Sequence, residues 1–140
     1  MFILIVGAGR VGSAIAKHAL DAGHEVSVLD SDPLSHERLD KDQSTSWEDA
    51  GGRFTVAQAL EVDGLVESGI EDADVFMAAT SGDNTNLVIA QIAQRRFNVP
   101  RVVVRVADPA RAAWYGEQGL ITICPTQHAI DEAEQVVLAS

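Results

Sequence analysis

The hexapeptide GAGRVG at positions 7–12 lies between the apolar run MFILIV and a stretch with helical spacing. No other part of the sequence restricts the fold as much. A buried strand that ends in glycines and passes at once into a helix opens a βαβ unit of the kind that holds a nucleotide. Gly7 permits the tight turn, Gly9 lets a pyrophosphate approach the backbone, and Gly12 lets helix and strand pack closely. Free N–H groups at the helix start then point at phosphate, with Ala8 and Val11 completing the expected cradle.

The rest of the chain alternates strand and helix patterns. Aliphatic or mixed strand runs are read at 2–6, 25–29, 54–57, 75–79, 101–107 and 120–124. Between them come helical patterns at 10–22, stopped by Gly23, then a weaker one at 34–39 and a short one at 61–68 interrupted by Gly64. The longest helix is expected at 84–97, with Leu87, Val88, Ile92 and Ala93 on its inner side; others follow at 109–118 and 127–139. The stretch 41–52 is polar and poorly patterned, a loop or a degraded helix end.

Such alternation predicts an α/β fold: a Rossmann-like, doubly wound parallel sheet of about six strands in the order 3-2-1-4-5-6. Residues 1–125 form the expected nucleotide-binding unit, and 126–140 a C-terminal crossover-type helix in oligomer contact. With 140 residues there is room for one domain but not for an added substrate domain. A net charge of −11 argues against nucleic acid and anionic membrane surfaces as partners. No apolar run approaches the roughly 20 residues of a membrane span, and the first strand starts at Met1, so a soluble intracellular domain is expected. A single cysteine, Cys124, fits a reducing compartment.

Several residues fall where a ligand would lie. Asp30 ends the second strand, where a carboxylate accepts hydrogen bonds from ribose hydroxyls and repels a 2′-phosphate; a solvated strand-end acid is the alternative. Ser31 sits beside it, and Asp32 either touches the adenosine end or starts the turn before Pro33. Arg10 can clamp phosphate in bidentate fashion or be an exposed first-turn arginine. Thr80 and Ser81 follow the fourth strand, across the switch point from Gly7, although TSGDNTN is also an ordinary helix start. Arg105 either reaches the site from the fifth strand or pairs with an acid such as Asp108.

Catalytic groups are what the sequence lacks. A one-domain reductase needs a Tyr followed one helical turn later by a Lys, and Tyr115 has Gly119 there. Lys17 and Lys41, the two lysines, follow no strand. Cys124 has no evident base, and the four histidines show no metal-ligand spacing. Neither a catalytic nor a metal site is expected. An NAD-dependent reductase fragment is the competing reading.

The segments ILIVGAGRVGSAIAKHALDAGHEVSVLDSD, LVESGIEDADVFMAATSGDNTNLVIAQIA and VVVRVADPARAAWYGEQGLITICP together resemble the TrkA-N family, also called RCK-N or KTN. This is the amino-terminal nucleotide-binding domain of Trk/Ktr potassium-uptake regulatory proteins. The resemblance implies a non-catalytic, cytoplasmic regulatory subunit, peripheral at the inner face of the membrane on an embedded potassium transporter or channel. It implies an adenine nucleotide, NAD(H) or ATP, ADP or AMP, as ligand, and a dimer or ring whose geometry the ligand changes. It assigns Arg10 to phosphate and the last helix to a neighbouring subunit. Ala57, a candidate contact, and Gln58 depart from the family's Gly-Asp or Asn-containing turn; Thr126 and Gln127 replace a glutamate some members carry.

Overall fold

The computed structural model describes residues 1–140. Six parallel strands form one sheet: β1 (Phe2–Val6), β2 (Glu25–Asp30), β3 (Arg53–Val56), β4 (Val75–Ala78), β5 (Arg101–Arg105) and β6 (Ile121–Ile123). Their spatial order is β3-β2-β1-β4-β5-β6, the order expected from the sequence. β1 is the centre of the sheet because it is apolar toward both faces. Leu4 and Val6 enter the larger core cluster, while Ile5 enters the smaller one with Val26, Val28 and Met77. The seam of the molecule is the β1–β4 pairing, with Ile3 opposite Val75 and Val6 opposite Ala78.

Helices cover the sheet unevenly. α1 (Arg10–Asp21) and α2 (Glu37–Asp40) lie on the face that buries Ala16 and Leu39. On the other face, α3 (Val62–Glu67), α4 (Asp83–Gln91) and α5 (Pro109–Glu117) contribute Leu65, Leu87, Ile89, Ala90 and Ala112 to the larger cluster. The first face is bare over β5 and β6: Ile121 is 47% exposed and Ile123 37%, on the same side as half-buried Val103. α6 (Pro125–Val137) runs away from the sheet with no buried residue.

Several local readings are corrected. Val88 points outward and Ile89 inward, because the buried stripe runs through Asn86, Ile89 and Ala90 of α4 and on to Ala93. The helix is α only to Gln91 and then widens into a π turn over Ile92–Arg96. Gly64 does not interrupt α3; a Cβ there would come within 2.6 Å of Ala57 Cβ, so glycine lets the helix close on β3. The weak helix after Pro33 divides into a 3-10 turn (Pro33–His36) and α2. The polar 41–52 stretch carries Trp47, 2% exposed, whose Nε1–H donates to the Arg53 carbonyl at 2.9 Å. α6 begins two residues earlier than its apolar pattern, because Pro125 opens it and Cys124 caps it.

Candidate nucleotide-binding site

The C-terminal ends of β1, β2, β4 and β5 surround a cavity of about 630 Å³. This is where an open parallel sheet binds ligands, at the point where strand order reverses. The glycine turn forms its floor. Gly7 has φ +106°, and a Cβ there would lie 2.7 Å from the Ala79 backbone. A Cβ at Gly12 would collide with the Gly7 carbonyl oxygen, whereas one at Gly9 meets no protein atom within 4 Å. Gly7 and Gly12 therefore build the turn, and Gly9 leaves approach space. α1 has Gly9 as N-cap and no side-chain cap, so its first N–H groups are left to a ligand.

Asp30 fastens that turn from the side. Its Oδ2 accepts from the Ala8 N–H at 2.7 Å and its Oδ1 from the Asp32 N–H at 2.8 Å. Each oxygen keeps a second lone pair for a ligand hydroxyl. Asp32 serves the turn before Pro33, accepting from the Leu34 N–H at 2.9 Å, and still borders the cavity.

On the opposite wall, Arg105 donates from Nη1 to the Thr80 carbonyl at 3.2 Å, while its Nε is buried without a partner. It does not pair with Asp108, whose carboxylate caps α5 by accepting from Ala110. Asn86 is fully buried behind this wall. Its Oδ1 accepts from the Thr80 N–H at 3.0 Å and hydroxyl at 2.6 Å, and its Nδ2 donates to the Thr80 and Arg105 carbonyls, each at 2.9 Å.

Of the residues singled out from sequence, Gly7, Gly9, Arg10, Val11, Asp30, Ser31, Asp32, Thr80, Ser81 and Arg105 line the cavity together. Ala8 is buried beneath, Gly12 is one layer behind, and Ala57 packs against the core while Gln58, Ala59 and Leu60 form that part of the wall. Arg38 and Asn86 are among the residues that escaped sequence reading. Arg38 lines the cavity and donates to the Ala8 carbonyl at 3.3 Å, but it sits in a helix too short for a periodic signal. Asn86 heads the buried stripe of α4; a polar residue on an otherwise apolar stripe was the available signal.

The electrostatics follow from one contrast. Against 21 acidic and 10 basic residues in the chain, three arginines converge on this cavity, and no arginine in the structure forms an ion pair with a carboxylate. No Lys, Tyr, His or Cys lines the wall, so a carbonyl substrate would find no proton donor of the reductase kind. The sequence shows no metal-ligand spacing, yet the fold gathers His36, Asp40 and Glu48 outside the cavity. The two ring nitrogens of His36 are each taken by a carboxylate, at 3.2 Å for Asp40, which satisfies the group internally.

Comparison with known proteins bears on the family and the fold. The TrkA-N domain model matches residues 3–125. The Trk system potassium uptake protein TrkA of Streptomyces coelicolor is 39% identical over the whole chain, which covers 60% of that relative. The chain thus spans less than two thirds of the length of that relative, and 48% of the Mycobacterium tuberculosis TrkA. Among solved structures, the TrkA-N domain of the inner membrane protein ybaL from Escherichia coli superposes with a TM-score of 0.78 at 17% identity, covering 98% of this chain and 96% of that one. The Kef C-terminal domain of Shewanella denitrificans in its AMP-bound form gives 0.74 at 21% identity, with 100% and 84% covered.

Proposed function

Since this chain belongs to the TrkA-N domain family, we propose that it is the nucleotide-sensing part of a potassium uptake or channel system. The observation that carries this reading is the trio Arg10, Arg38 and Arg105, free of carboxylate partners around a glycine turn with Asp30 at its side. Arginines that share a cavity and form no ion pair with a carboxylate suit an anion, and the turn offers it free backbone N–H groups. The ligand is an adenine nucleotide, NAD(H) or ATP, ADP or AMP. The role is regulatory, exercised in the cytoplasm at the inner face of the membrane on an embedded transporter or channel subunit. No helix of the chain is long and apolar enough to cross a membrane itself.

Calorimetry with adenosine, AMP, ADP and ATP tests the assignment. Asp30→Ala should weaken every adenine nucleotide by about 1–3 kcal/mol, the scale of a charge-assisted hydrogen bond left unmade. Arg10→Ala should weaken ADP and ATP more than adenosine or AMP, because only the longer chains carry further charge beside it. Unchanged affinity in the Asp30 variant removes the ribose role; equal loss for all four ligands makes Arg10 structural.

Residues 1–125 are the binding unit in this reading, and 126–140 the assembly segment. α6 presents Ala129, Ile130, Ala133, Val136 and Val137 along one stripe. Val137 is 76% exposed, and the face over β5 and β6 lacks a covering helix. A second copy can bury both surfaces in a homodimer or ring. A nucleotide then gates by binding two assembly shapes with different affinity. Ile130→Asp combined with Val137→Asp should yield a folded, nucleotide-binding monomer by light scattering. Wild-type protein that stays monomeric at tens of micromolar with and without nucleotide would sink the interface.

A further inference from the structure

His36 stands between two carboxylates that come from different segments. Its Nδ1 faces Asp40 Oδ2 at 3.2 Å, one helical turn along, and its Nε2 faces Glu48 Oε1 in the loop that leads to β3. The ring also meets Phe54 of β3 edge-on, with centroids 5.1 Å apart. Asp40 is shared, because its Oδ1 accepts from the Trp47 N–H at 2.8 Å. The group lies outside the cavity and stands apart from nucleotide binding.

Counting hydrogens decides what holds this arrangement. An ionised carboxylate only accepts, so each contact needs an N–H on the ring. A neutral imidazole carries one N–H and turns a lone pair toward the second carboxylate; the imidazolium carries two and satisfies both. Charge points the same way. The ligand atoms of the three residues lie within 4.8 Å of one another, and no Lys or Arg pairs with either carboxylate. Lys17 of α1 reaches the Lys41 carbonyl instead, and Arg38 of α2 the Ala8 carbonyl. Glu37 and Asp49, the neighbouring acids, are exposed and bond neither ring nitrogen. The charged ring is therefore the counter-charge of two like charges. A metal ion fits less well, since the two nitrogens point to opposite sides of the ring and one ion takes only one of them.

We propose that His36 is a proton-operated latch that closes the 41–52 loop onto α2 when its ring is charged and releases Glu48 when it is neutral. Histidine is the side chain that changes charge near neutral pH, so a small change in proton concentration works the latch. Closure is complete on the acid side of neutrality and is lost as pH rises, because the charged ring is the form with two donors. Glu48 is the partner that leaves. Its side chain is 51% exposed, whereas Asp40 is also tied to the Trp47 N–H. Trp47 itself stays buried, so the opening is confined to the residues after it. There the loop closes through Ala50 N–H to the Ser46 carbonyl at 3.0 Å, Gly51 to Glu48 at 2.9 Å and Gly52 to Trp47 at 2.9 Å.

The test is native-state hydrogen exchange by NMR, read as protection factors so that the pH dependence of exchange chemistry cancels. From about pH 6 to about pH 8, protection of the Ala50, Gly51 and Gly52 amides should fall at least about threefold, the scale of a half-exposed charged pair. Amides of β1 should keep theirs. His36→Gln carries no charge and should show the low, alkaline level of loop protection at both pH values. Glu48→Gln can pair with a neutral ring and should hold the high level at both; if His36→Gln fails to fold, this variant decides. Equal wild-type protection at the two pH values overturns the proposal. So does a pH dependence that survives in His36→Gln or that β1 shares. Recovery of loop protection at about pH 8 on adding zinc chloride would make the three residues a metal site and overturn it as well.

Discussion

Gly12→Ala is expected to cost about 3 kcal/mol of stability and to abolish nucleotide binding, because the added methyl has nowhere to go. Its carbon would overlap the Gly7 carbonyl oxygen and approach the Gly7 carbonyl carbon to 3.1 Å. Gly7 cannot retreat. It holds φ +106° against the Ala79 backbone, and its N–H is bonded to the Leu29 carbonyl at 2.8 Å. The only relief is for α1 to lift from the sheet, which carries Arg10 and the open helix N-terminus away from the cavity. Thermal unfolding with and without ADP should show a midpoint lowered by roughly 10 °C and no ligand-induced rise. A variant with the wild-type midpoint and an intact ADP shift would show that the turn is softer than its packing implies. Gly9→Ala is the contrast, since a methyl there meets no protein atom within 4 Å.

Trp47→Ala should be equally damaging to stability and nearly silent in binding. The ring is 2% exposed and packs in the smaller core cluster with Val28 and Leu39. Gly52 folds so closely over it that any side chain at 52 would enter the ring. Its backbone N–H is bonded to Asp40 Oδ1 at 2.8 Å, so the residue also anchors the loop between α2 and β3. Removing a buried Trp costs about 3–5 kcal/mol, and chemical denaturation should report a loss in that range. Trp47→Phe should recover much of it but leave the Arg53 carbonyl without its donor. Because Trp47 borders no part of the large cavity, ADP affinity measured below the unfolding transition should stay within about twofold. Loss of binding in a folded variant would place the α2–β3 loop in the site after all.

The strands were legible because a parallel sheet buried on both faces writes itself as apolar runs such as FILIV and VFMA. Helix faces were less so. α4 mixes Val88, exposed, with Ile89, buried, and apolar periodicity alone chose the wrong one, since the buried face includes the polar Asn86. Trp47 was invisible because one large ring, rather than a pattern, buries that loop. For the site, glycines and Asp30 are readable because backbone geometry demands them at fixed spacing. Arg38 and Asn86 act through tertiary contacts with Ala8, Thr80 and Arg105, and no local spacing encodes those.

The β1–β4 seam has a consequence for how the domain opens. On one side of it lie β2 and β3 with Asp30, and on the other β5 and β6 with Arg105. Strand contacts across the seam join residues far apart in the chain, Leu4 to Phe76 and Val6 to Ala78, so separation of the two halves is the natural sub-global unfolding event. On the proposed reading, a nucleotide spanning Asp30 and Arg105 would tie the halves together above that seam. Its binding energy is then added to the cost of the opening reaction itself, and amide hydrogens of β1 and β4 exchange more slowly in concert, including those that touch no ligand atom.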